Sequence, residues 1–100
     1  MDPDKSPADC QSLAEIRAQI DRLDKAIVDL LAARGGNVLA AARFKRSEAE
    51  VTAPQRVEQV ISRVRAMAQA QGASAAVVER VYRELIAAFT DAERDHWRQQ

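Results

Sequence analysis

Six apolar residues, Leu13, Ile16, Ile20, Leu23, Ile27 and Leu30, recur in alternating steps of three and four. That spacing keeps one narrow stripe on a single side of an α-helix, as in a coiled-coil seam, and no strand can place all six on one face. Ser12 followed by Glu15 forms a capping box that satisfies free backbone donors, so the helix starts there. The next step lands on Arg34, and the pattern continues less cleanly through Val38, Ala41 and Phe44. One helix is therefore predicted from about residue 12 to about 46, roughly 50 Å at about 1.5 Å per residue. Gly35 and Gly36 interrupt it at about 1 kcal/mol each relative to alanine, and either kink it or end it.

Periodicity is lost over 46–51. Thr52 with Gln55 then offers a second capping box, and Pro54 suits a first helical turn. The second helix carries the stripe Val57, Val60, Ile61, Val64, Met67 and Ala68, with Gly72 placed for a left-handed end. Ser74 is set to cap a third helix bearing Val77, Val78, Val81, Tyr82, Leu85, Ile86, Phe89 and Trp97. No segment alternates like a strand, so the fold class is all-α, with three helices and a long first one. Residues 1–11, polar and containing Pro3 and Pro7, read as a flexible lead-in to a single helical domain over 12–100. A first helix of about 35 residues outruns partners of about 20 and leaves its apolar seam uncovered in a monomer. An intertwined helical homodimer covers it; a monomeric four-helix bundle split at the glycine pair is the alternative.

The 15 basic residues balance the 15 acidic ones, which argues against bulk attraction to nucleic acid. No window is apolar enough to span a membrane, and the N-terminus lacks a signal-peptide core, so a soluble, cytoplasmic chain is expected. Cys10 cannot form an intrachain disulfide, and with His96 as the one histidine no zinc-like cluster exists. Neither residue is expected to act chemically, and no metal or other cofactor is expected.

The informative residues are polar groups standing where apolar ones are due. Arg34 falls on the seam, where a guanidinium needs an anion such as a ligand carboxylate, a structural acid, or a route to water. Lys45 lies eleven residues on, close to three turns and about 16 Å along a continuous helix, so the two cations suit a small dianion. Lys45 also reads as an ordinary surface lysine between Arg43 and Arg46. Arg17 borders the seam between Ile16 and Ile20, and Arg56 opens the second helix; each has an ordinary reading as a solvated cation. Glu93 follows Phe89 by four and precedes Trp97 by four, so a carboxyl continues an apolar row and is a candidate acid, unless it is one more charge in the run 91–94.

Together these positions resemble the all-α chorismate mutase family along nearly the whole chain. Leu13-Ala14-Glu15-Ile16-Arg17, Ile20-Asp21-Arg22-Leu23-Asp24, Leu30-Leu31-Ala32-Ala33-Arg34, Val38 and Phe44-Lys45 look like that family's long first helix. Arg43-Phe44-Lys45-Arg46-Ser47-Glu48-Ala49 with Ala53-Pro54-Gln55-Arg56-Val57 looks closer to its isochorismate pyruvate lyase branch, which makes salicylate. The resemblance implies two interlocked chains and two sites, with substrate carboxylates held by Arg34 and by Arg17 of the other chain. It puts Lys45 on the ether oxygen and a carboxylate, and makes Arg56 a supporting cation. Several bacterial mutases and the lyase have glutamine at Glu93, whereas fungal mutases have glutamate. Enteric-type mutases carry acids at Ala53 and Val57 that hold the ring hydroxyl; the lyase branch, like this chain, does not. From sequence, chorismate mutase (chorismate to prephenate) ranks first and isochorismate pyruvate lyase second, ahead of a non-catalytic helical interaction module.

Overall fold

The structure is a computed structural model that describes residues 5–100. Of the lead-in expected over 1–11, residues 1–4 lie outside the described residues. The chain is all-helical there: a 3-10 turn Pro7–Asp9, α1 (Leu13–Ala41), a second 3-10 turn Ala42–Phe44, α2 (Glu48–Thr52), α3 (Pro54–Ala70) and α4 (Ala75–Arg98). The three long helices expected from sequence are present, with the five-residue α2 added between the first two.

Two compact units divide the chain, and the boundary falls between Gly35 and Gly36. α1 nevertheless covers both glycines without a break, so the pair does not end the helix. In the first unit the Ser12 Oγ accepts from the Glu15 amide at 3.1 Å, while the Glu15 carboxylate accepts from the Gln11 amide at 2.6 Å and from Lys5 Nζ at 2.6 Å. These bonds satisfy the free donors of the first turn and bring the preceding segment back onto it. The Lys5 ammonium and the Gln11 amide hold the Glu15 carboxyl below its ordinary value. Gln19 is buried, and its Nε2 donates to Cys10 Sγ at 3.0 Å. Leu13, Ile20, Leu23, Ile27 and Leu30 remain exposed.

α1 stops at Ala41, about five residues short of the expected end, where the chain tightens into the Ala42–Phe44 turn. Phe44, read as part of the seam, is 71% exposed and carries the Arg43 guanidinium 4.8 Å above its ring. In the second unit α4 packs on α3, on α2 and on the 3-10 turn. Ala42, Val51, Val60, Ile61, Val64 and Ala68 form its core, and burying Val60, Ile61 and Val64 contributes about 2 kcal/mol each. Met67, Val77 and Val81, expected on buried stripes, are exposed.

The end of α3 is as expected. Gly72 adopts φ +72, and the Ala73 and Gly72 amides donate to the Ala68 and Gln69 carbonyls at 2.8 and 3.1 Å, closing a Schellman motif. Ser74 Oγ then accepts from the Val77 amide at 3.2 Å and starts α4. The start of α3 differs from expectation. Thr52 is not its cap but the last residue of α2, its hydroxyl donating to the Glu48 and Ala49 carbonyls at 3.1 Å. The N-cap is Ala53, in the left-handed region at φ 38, ψ 63 with no side-chain bond. The cause is local: Ser47 and Glu50 form an S-x-x-E box that starts α2 early, and Pro54 takes the first position of α3, leaving one residue for the corner.

Arg83 spans α3 and α4, donating to both Glu58 oxygens at 3.0 and 3.1 Å and to Glu79 at 2.7 Å, while Arg65 reaches Glu79 at 2.6 Å. The Arg83 guanidinium holds the Glu58 and Glu79 carboxyls below their ordinary values, and Arg65 adds to the effect on Glu79.

Candidate active site

Lys45 follows the 3-10 turn in extended backbone, and its amide donates to the Ala42 carbonyl at 3.1 Å. Its Nζ lies 3.0 Å from Glu93 Oε2 and donates to the Glu50 carbonyl at 3.1 Å. The Glu93 side chain is 6% exposed and that of Lys45 is 25% exposed, so the pair is shielded on the carboxylate side and open on the ammonium side. A carboxylate this deeply buried is tolerable because a cation lies against it; removing either partner alone leaves an uncompensated charge at several kcal/mol. The row Phe89, Glu93, Trp97 on α4 is the reason: spacing by four keeps all three on one stripe, and both aromatic neighbours are half-buried.

The segment after Lys45 is tied down by polar bonds. Trp97 Nε1 donates to the Lys45 carbonyl at 3.0 Å, the Arg46 amide donates to Glu50 Oε1 at 2.5 Å, and Arg98 pairs with Glu48. Val51 is buried and anchors α2. Sequence reasoning treated Trp97 as an apolar residue and passed over Ser47 with Glu50. The second had a legible signal, the S-x-x-E spacing, hidden because the segment has no apolar period.

Of the five candidate residues, the structure brings Lys45 and Glu93 together. Arg56 stands exposed on the first turn of α3. Arg17 and Arg34 belong to the first unit, the former exposed and the latter half-buried. Both lie on the unbroken α1, nearly five turns and about 25 Å apart along its axis. Within one chain, therefore, a single small ligand cannot touch both. The helical spacing read between Arg34 and Lys45 does not hold, because α1 ends at Ala41 and Lys45 is extended.

The arrangement offers a partly open ammonium fixed by a shielded carboxylate, with no nucleophilic side chain paired to either among the described residues. That suits electrostatic stabilisation of an anionic oxygen rather than covalent chemistry. Residues 16–94 match the family model described as Chorismate mutase type II. The chain is also 40% identical over 95 residues, 95% of this chain and 94% of the relative, to an isochorismate pyruvate lyase from Pseudomonas aeruginosa. With a family-model match over residues 16–94 and a relative 40% identical over 95% of its length, this all-helical chain belongs to the type II chorismate mutase family.

Proposed function

We propose that the chain is an isochorismate pyruvate lyase that splits isochorismate into salicylate and pyruvate without a cofactor. The observation that carries this reading is the end-to-end likeness to a curated lyase. It reverses the order reached from sequence alone, and Ala53 and Val57, uncharged where enteric-type mutases resemble one another in carrying acids, point the same way. A second reading, chorismate mutase, is favoured by Glu93, a glutamate shared with the fungal mutases where the lyase branch has glutamine.

In either reaction the ether C–O bond between the ring and the enolpyruvyl group breaks while negative charge grows on its oxygen, which becomes the pyruvyl carbonyl. In the lyase the hydrogen on the adjacent hydroxyl-bearing ring carbon passes to the enolpyruvyl methylene, and in the mutase that methylene bonds to the ring carbon that bears the carboxylate. The Lys45 ammonium faces that oxygen, and Glu93 fixes the ammonium. Arg34 and Arg17 hold the two substrate carboxylates, and Arg56 supports them. Because about 25 Å of helix separates the two α1 arginines, Arg17 comes from a second copy whose seam covers Leu13, Ile20, Leu23, Ile27 and Leu30. Catalysis then consists of binding a reactive conformer and stabilising its developing charge.

The test is direct. Purified protein given isochorismate yields salicylate and pyruvate, and given chorismate yields prephenate more slowly. Faster turnover of chorismate exchanges the two readings. Inertness towards both leaves a helical interaction module, or a relative acting on an amino-substituted chorismate.

A further inference from the structure

The Lys45–Arg46 peptide is held on both of its polar groups. Its carbonyl, that of Lys45, accepts from Trp97 Nε1 at 3.0 Å, and its N–H, that of Arg46, donates to Glu50 Oε1 at 2.5 Å. The two bonds fix the plane of this peptide, and the Lys45 N–H, donating to the Ala42 carbonyl at 3.1 Å, holds the peptide before it, so that both planes flanking the Lys45 Cα are set and with them the direction in which its Cα–Cβ bond leaves the backbone. Phe44 and Arg46, on either side, are exposed, and the nearest buried residues along the sequence are Ala42 and Val51. Glu93 and Trp97 stand one turn apart on α4, so a single helix face grips Lys45 twice, the ammonium through Glu93 and the carbonyl through Trp97. One turn of a packed helix is a rigid ruler, whereas a lysine side chain on an exposed segment has many rotamers.

We propose that Trp97 is a positioning residue for the reaction: its indole N–H holds the Lys45 peptide so that the ammonium stays aimed at the breaking bond. This rests on the assignment of Lys45 made under Proposed function. It explains why a tryptophan, the chain's single one, stands near the end of α4 with its ring half-buried and its N–H turned to a backbone carbonyl. Arg98, next in sequence, adds a tie to Glu48 at the start of α2.

The experiment is Trp97→Phe, which keeps an aromatic ring and removes the donor. A second variant, with benzothienylalanine at position 97, keeps the bicyclic shape and puts sulfur where the N–H was, so that packing loss and donor loss are separated. Two readouts are taken: steady-state kinetics on the active substrate, and amide hydrogen exchange over residues 46–50. Both variants should lower kcat by about tenfold, the effect of one lost hydrogen bond on an aligned group, with KM within about twofold. Exchange of the Arg46 amide should quicken, whereas His96→Ala, an exposed change one residue away, should leave both readouts unchanged. A benzothienylalanine variant with wild-type kcat, or with wild-type exchange over 46–50, overturns the proposal. If the wild-type protein is inert to both substrates, the functional reading falls on that result, and the exchange readout still decides whether Trp97 holds the segment.

Discussion

Glu93 and Lys45, 48 positions apart in sequence, meet at 3.0 Å with the carboxylate buried and the ammonium partly open. The pair makes the lysine a fixed charge, and a fixed charge stabilises a developing oxyanion without having to reorganise at the moment of reaction.

Lys45→Ala should therefore lower turnover more than it changes KM, and it should also lower stability because the buried Glu93 carboxylate loses its cation. Loss of one such contact costs on the order of 3 kcal/mol, about a hundredfold or more in kcat. Turnover within twofold of wild type in a steady-state assay would remove Lys45 from the chemistry.

Glu93→Gln should increase turnover. The glutamine carbonyl still accepts from Lys45, but no negative charge then competes with the ether oxygen for the ammonium. A gain of about tenfold would correspond to about 1.4 kcal/mol of relieved repulsion in the transition state. A full pH–rate profile superimposable on that of wild type would put Glu93 outside the site.

Arg17 and Arg34, too far apart on one α1 to share a ligand, should complement between chains. Arg17→Ala and Arg34→Ala proteins, each inactive, should regain activity when mixed and allowed to exchange, because a heterodimer contains one intact site. Sedimentation would confirm that chains had paired. A fully active monomer, or no recovery after proven exchange, would exclude a shared site.

Ala53→Gly should stabilise the fold. An L-residue in the left-handed region costs about 1 to 2 kcal/mol, and the greater freedom of unfolded glycine returns about half of that. The net gain of about 0.5 to 1 kcal/mol amounts to a few degrees in Tm for a domain this small. A lower Tm on thermal denaturation would show that the corner at Ala53 is not strained.

The Arg83 network should make stability depend on acid. Glu58 and Glu79 have folded values below the ordinary 4.5, so their contribution is complete above that value and is lost as pH falls through the lower folded ones. Arg83→Ala should thus be less stable than wild type near neutrality, and the gap should narrow as pH falls below 4.5. Urea midpoints would show it, with a smaller gap in high salt because these groups are exposed. A gap independent of pH would mean the ion pairs contribute nothing.

Local spacing is enough for the all-α class, written in the three-and-four seam of α1, for the start of α1 at Ser12, the end of α3 at Gly72, the cap of α4 at Ser74 and the apolar row that carries Glu93. Each depends on residues within one or two turns, where side-chain spacing and backbone hydrogen bonding leave few alternatives. Helix boundaries between α1 and α3 were misread because two capping signals, at Ser47 and Thr52, compete within six residues, and only Pro54 and the burial of Val51 decide between them. Only the tertiary structure brought Lys45 to Glu93 and turned Trp97 from an apolar residue into a hydrogen-bond donor, since both relations cross from a turn to a helix about fifty positions away. A pattern along one helix shows which face is buried; which backbone carbonyl that face meets depends on how α4 packs against the segment carrying Lys45.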